Sequence, residues 1–214
     1  MKLKVCGMRS SENILNLAKI MPDYMGFIFW EHSTRFVSNP TPELGKEIKK
    51  VGVFVNASLN YIKECVEAHK LKAIQLHGDE SPEECSKLKE IEVEVIKSFT
   101  MLNEFDFNEL SFYESACDYF LFDTKGFLPG GNGLHFDWTL LKNYQLKKPF
   151  FLSGGIGPDD SVAIALINKL NLPVYAVDVN SKFEIEPGYK NIQSIKEFKS
   201  KLYLSLIHIS EPTR

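Results

Sequence analysis

Short apolar runs recur along this chain at intervals of roughly 20 to 30 residues: Leu3–Cys6, Tyr24–Phe29, Val51–Val55, Ala73–Leu76, Val93–Phe99, Tyr119–Asp123, Phe150–Ser153 and Val174–Val179. Most are near-continuous rather than alternating, the pattern of strands covered on both faces. Amphipathic segments lie between them. Asn60–Lys70 sets Tyr61, Ile62, Cys65 and Val66 on one stripe at helical spacing, with Ala68 and His69 at its margin. Asp160–Leu170 does the same with Val162, Ile164, Ala165, Ile167 and Leu170. Ser81-Pro82 predicts a helix start, because the serine can cap and proline fits the first turn. Ser10-Ser11-Glu12-Asn13 and Gly157-Pro158-Asp159-Asp160 predict two more, the latter with acidic residues at the positive end of the helix dipole.

Parallel neighbours need a crossover, so strands alternating with helices read as repeated βαβ units. Eight units close into a barrel, whereas an open doubly wound sheet usually has about five or six strands. The expected fold is α/β: a single-domain (β/α)8 TIM barrel with a parallel eight-stranded core over residues 1–203. The fifth unit is the least regular, since Met101–Ala116 carries Phe105, Phe107, Phe112 and Tyr113 without a clean period. Residues 204–214 break the pattern of the helix before them and are expected to be a non-native or disordered tail.

Composition narrows the partners. The 214 residues are 44% hydrophobic and 25% charged, ordinary for a globular domain with a sizeable core. A formal charge of −3 gives nucleic acid or an anionic membrane no electrostatic footing. No apolar run is long enough to span a bilayer, and the first residues lack a secretory pattern. Cys6, Cys65, Cys85 and Cys117 are widely spaced, without a C-x-x-C pair, which predicts reduced thiols in a cytoplasmic protein. The expected partner is a small molecule, met by a monomer or homodimer. The histidines give no metal signal, since none of the five has ligand spacing with another.

Barrel active sites sit at the C-terminal ends of the strands. Here those ends are polar: Cys6-Gly7, Gln75 with His77-Gly78-Asp79, Asp123, Ser153-Gly154-Gly155, and Asp178 with Asn180-Ser181. Buried strands gain no stability from such endings, so their convergence predicts a site. Gly154 and Gly155 after the seventh strand, with Asn180 and Ser181 after the eighth, predict a phosphate site. Glycines let backbone N–H groups approach an anion, and those two loops are the recurrent phosphate site of this fold.

Several stretches together resemble one family, the phosphoribosylanthranilate isomerases. They are Lys4-Val5-Cys6-Gly7-Met8; Met25-Gly26-Phe27-Ile28-Phe29 followed by Ser33-Thr34-Arg35-Phe36-Val37; Gly52-Val53-Phe54-Val55-Asn56; and Gln75-Leu76-His77-Gly78-Asp79-Glu80. Phe122-Asp123 with Gly130-Gly131-Asn132-Gly133, Phe136-Asp137-Trp138, Ser153-Gly154-Gly155, Asp178-Val179-Asn180-Ser181 and Glu186-Pro187-Gly188-Tyr189-Lys190 continue the series in order. The chain departs from the family pattern at Thr34, Asn132, Leu134, Asn180, Lys182 and Asn191.

The resemblance implies an Amadori rearrangement in tryptophan biosynthesis, in which a phosphorylated aminoaldose becomes an aminoketose with neither metal nor cofactor. An acid must protonate the ring oxygen as the furanose opens, and a base must then remove the C2 proton. By resemblance Asp123 is the acid and Cys6 the base. Carboxyls ordinarily titrate near ~4 and thiols near ~8.5, so both roles need help from the surroundings or the substrate. Arg35 would recognise the anthranilate carboxylate or ring through its fork or its plane. Gln75, His77, Gly131 and Asp178 would complete the substrate site.

Two other readings use the same strand ends. Indole-glycerol-phosphate synthase and the histidine-pathway aminoaldose isomerase share the architecture. The first would need a catalytic lysine and glutamate, the second an aspartate, where the first strand here ends in Cys6. A non-catalytic phosphate-ligand-binding barrel is the other, although a pure binder has no use for both Cys6 and Asp123.

Overall fold

The apolar runs form eight strands: β1 (Lys2–Val5), β2 (Tyr24–Ile28), β3 (Lys49–Phe54), β4 (Ala73–Leu76), β5 (Glu94–Met101), β6 (Tyr119–Thr124), β7 (Phe150–Leu152) and β8 (Val174–Val179). The structure is a computed structural model that describes residues 1–101, 105–124 and 137–210. The strands pair in chain order, each pair parallel, and β1 pairs with β8 to close the barrel. Five α-helices are described: α1 (Ser11–Ala18), α2 (Leu59–His69), α3 (Pro82–Lys89), α4 (Ser161–Asn168) and α5 (Ile192–Ser210). A small antiparallel hairpin, β9 (Glu184–Glu186) and β10 (Tyr189–Lys190), follows β8.

Local chemistry places the helix starts. Ser81 and Glu84 form a reciprocal capping box at α3, with Pro82 in the first turn. Ser58 Oγ accepts the Tyr61 N–H to cap α2. The expected alternation of strand and helix is incomplete. No α-helix is described between β2 and β3, where Pro40, Pro42 and Gly45 interrupt the segment. After β5 and β6 the described helices are 3₁₀ turns, Phe107–Tyr113 and Trp138–Asn143.

The expected helix stripes are also broader than the faces that pack. In α4 Ile164, Ala165 and Ile167 are buried, while Val162 and Leu170 face solvent; in α2 Ile62 and Cys65 are buried and Tyr61 sits at the edge. α5 runs on past residue 203 to Ser210, and the side chains it packs are Ile195, Phe198 and Leu202. No described helix is long and apolar enough to cross a membrane.

Strand alternation builds the interior in layers. One layer is Tyr24, Val51, Ala73, Ile96, Leu121, Phe151 and Ala176, an apolar plug with one residue from each of β2 to β8. Their strand neighbours Phe120, Phe122, Phe150, Leu152, Val177 and Val179 belong to the outer core beneath the helices. Both faces are therefore apolar at this level, which is why the runs read as continuous. Two residues further along, the inward positions turn polar: Gln75, Ser98, Asp123, Ser153 and Asp178. The site rests on this change of layer.

Candidate active site

Cys6, Arg35, Gln75, His77, Asp123, Gly154, Gly155, Asp178, Asn180 and Ser181 all line one pocket at the C-terminal mouth of the barrel. It encloses about 710 Å³, open solvent at the mouth included. Gly131 lies outside the described residues. Ile28 and Val53 form an apolar wall, and Trp30 lines the pocket near Arg35.

Cys6 follows β1, its N–H bonded to Val179 O at 2.9 Å. Its side chain lies over Gly26, where a Cβ would meet Sγ at 2.7 Å, so the absent side chain on β2 makes room for the thiol. Burial pushes the Cys6 thiol above its ordinary value; Lys4 is the strongest influence in the other direction.

Asp123 ends the inward row of β6. Its Oδ1 accepts the Thr124 N–H at 2.9 Å, and Oδ2 lies 3.3 Å from His77 Nε2. Gln75 Nε2 is 2.8 Å from His77 Nδ1. Gln75 and the His77 ring are thus packed in line against the Asp123 carboxyl. Ser153 Oγ is 3.4 Å from both Asp123 Oδ1 and Asp178 Oδ2, so one hydroxyl joins two carboxyl groups.

Asp178 does not stand free at the rim. Its Oδ2 takes a 2.9 Å bond from the Lys4 ammonium, which is fully buried. Burial works against that ammonium, but the carboxylate beside it prevails and holds Lys4 above its ordinary value.

Arg35 is also held. Its Nε and Nη2 donate to the two carboxylate oxygens of Glu184 at 2.9 and 2.7 Å, a bidentate pair from the β9 hairpin. Glu184 Oε1 further accepts Lys190 Nζ at 2.6 Å and the Gly188 N–H at 3.0 Å. Burial works against the carboxylate, yet Arg35 and Lys190 keep Glu184 below its ordinary value. Burial pulls Lys190 down to about 8 despite Glu184. Lys190 Nζ also donates to Asn180 Oδ1 at 2.6 Å, which ties the Arg35 side of the pocket to the loop after β8.

Gly154 and Gly155 turn at φ 90° and 65°, in the left-handed region that favours glycine. A Cβ on Gly154 would sit 2.2 Å from Thr124 Oγ1. The helix expected behind this turn begins only at Ser161, and Asp160 already accepts the Gly157 N–H at 2.6 Å, so the glycines themselves form the pocket wall. Among the described residues no group of three His, Cys, Asp or Glu could hold a metal ion.

Sequence reading missed Lys4, Glu184 and Lys190 as parts of the site. Lys4 did carry a signal: a lysine two residues before Cys6 in an apolar strand must share its inward face. Glu184 and Lys190 carried none, because their partners are brought to them by the barrel.

Several known proteins are similar to this chain in sequence and fold. The family model described as N-(5'phosphoribosyl)anthranilate (PRA) isomerase matches residues 3–201. The chain is 44% identical to the N-(5'-phosphoribosyl)anthranilate isomerase of Parabacteroides distasonis, over 92% of this chain and 91% of the relative. The crystal structure of the phosphoribosyl anthranilate isomerase of Thermotoga maritima superposes with a TM-score of 0.81 at 33% identity, covering 95% of this chain and 98% of that one. A further isomerase structure, in complex with reduced 1-(o-carboxyphenylamino)-1-deoxyribulose 5-phosphate, matches at 0.78 and 30% identity, with coverages of 95% and 98%. With the pocket, the barrel and the match from residue 3 to 201 in agreement, the chain belongs to the phosphoribosylanthranilate isomerase family of tryptophan biosynthesis.

Proposed function

We propose that Cys6 is the general base and Asp123 the general acid of this isomerase. The observation that carries the reading is that both groups line one pocket from strands three steps apart round the barrel wall, so a ribose between them meets each on a different side. Asp123 protonates the ring oxygen of N-(5-phosphoribosyl)anthranilate and the ring opens to an iminium. Cys6 removes the C2 proton, and the resulting enolamine relaxes to 1-(2-carboxyphenylamino)-1-deoxyribulose 5-phosphate. The backbone turn at Gly154-Gly155, with Asn180 and Ser181, cradles the phosphate. Asp178 faces the ribose, and Trp30 and Arg35 take the anthranilate. Glu184 occupies Nε and Nη2 of Arg35, which leaves Nη1 and the guanidinium plane for the ligand.

In this reading the enzyme is a cytoplasmic monomer or homodimer, and residues 204–214 lie outside the catalytic domain. Turnover is measured as the loss of substrate fluorescence when protein meets freshly generated phosphoribosylanthranilate. A folded protein without turnover would overturn the assignment and leave a phosphate-binding barrel.

Two quantitative outcomes follow. A base must be deprotonated to act, and burial raises the Cys6 thiol, so kcat/KM of the free enzyme is expected to keep rising above about pH 8. A plateau already reached at about pH 6 counts against Cys6 as the base. Glu184→Gln loosens the fork that holds Arg35, and KM is expected to rise about tenfold with kcat within about threefold. An unchanged KM would remove Arg35 from substrate recognition.

A further inference from the structure

We propose that Lys4 is a positioning residue for the base: its buried ammonium, anchored on Asp178, favours the Cys6 thiolate that accepts the substrate proton. The proposal rests on the reading of Cys6 as the base.

Lys4 lies on β1 and Cys6 follows the strand two residues on, lining the pocket at the barrel mouth. The Lys4 side chain is fully buried and its Nζ is fixed 2.9 Å from Asp178 Oδ2. From that anchor the ammonium acts on Cys6 by charge. The other charged groups facing the thiol are Asp178 from β8, Lys190 from β10 and Arg35 from the loop after β2. Asp178 is the one that repels a thiolate, and Lys4 offsets it directly.

Stability alone does not account for a lysine here. Apolar residues of similar volume often replace a buried ion pair at no cost to the fold. The layer just below is an apolar plug, and a methionine would extend it. What a methionine cannot do is stabilise negative charge where Cys6 develops it.

The test reads Cys6 without turnover. The rate of alkylation by iodoacetamide is followed at the Cys6 peptide by mass spectrometry from about pH 6 to 10 in wild type, Lys4→Met and Lys4→Arg. The expected result is an inflection at least about one pH unit higher in Lys4→Met, so that alkylation at pH 8 falls about tenfold. Lys4→Arg keeps the charge and stays near wild type. An unchanged inflection in a folded Lys4→Met overturns the proposal. Should that variant not fold, Lys4→Gln keeps a donor for Asp178 without the charge, and its inflection must also rise. Turnover of wild type is measured alongside. A shifted inflection in a protein that never turns over would sink Cys6 as the base of this reaction and leave the Lys4 pairing intact; an active enzyme with an unmoved inflection sinks the pairing alone.

Discussion

Cys6→Ala and Asp123→Asn are each expected to lower kcat/KM by at least about 10²-fold while leaving the barrel folded. The magnitude is that of a proton transfer lost from the transition state. Cys6→Ala removes one sulfur from a position seated over Gly26, and the backbone bond from Cys6 N to Val179 O does not depend on the side chain. Asp123→Asn keeps an oxygen for the Thr124 N–H and nearly the same shape, but its amide has no acidic proton to give the ring oxygen. Steady-state kinetics with circular dichroism on the same samples checks this. A folded variant within about tenfold of wild type would remove that residue from the mechanism.

Lys97→Met is expected to cost about 3–5 kcal/mol of stability, the range seen when one partner of a buried ion pair is removed. Lys97 Nζ donates to Glu80 Oε2 at 2.9 Å and to Gly78 O at 2.6 Å, with both charged side chains buried. Glu80 also accepts the N–H groups of Asn56 and Gly78. The pair therefore ties the ends of β3 and β4 to the middle of β5, next to His77. Without the ammonium a buried carboxylate is left with neutral donors alone. For a chain of this size the loss corresponds to roughly 10 °C in Tm, read by thermal unfolding. Lys97→Met/Glu80→Gln removes both charges and is expected to recover part of the loss, which a double-mutant cycle quantifies. A cost under about 1 kcal/mol in the single variant would show that the pair is solvated and not structural. Turnover should fall as well, because the segment it clamps carries His77, whose ring lies 3.3 Å from Asp123 Oδ2.

Much of this molecule is legible in one dimension. Strands buried on both faces must be apolar on both, so Phe120-Leu121-Phe122 and Phe150-Phe151-Leu152 announce themselves. Polar residues that end such runs stand out for the same reason, and Cys6, Asp123 and Asp178 were found that way. Ser81-Pro82 placed α3 because a cap is a local bond. The irregular Met101–Ala116 hid its element because a 3₁₀ turn does not repeat every 3.6 residues. The helix faces were overestimated because one helix touches the barrel along a narrow line.

What the chain order could not reveal is which charge meets which. Lys4 and Asp178 are 174 residues apart, and Arg35 and Glu184 are 149 apart. Each pair exists because β8 returns to β1 and brings its following hairpin over the loop after β2. Periodicity reports whether a position faces inward, since that depends on its neighbours along the strand. It carries no information on the partner across the barrel, because that partner is chosen by closure and register.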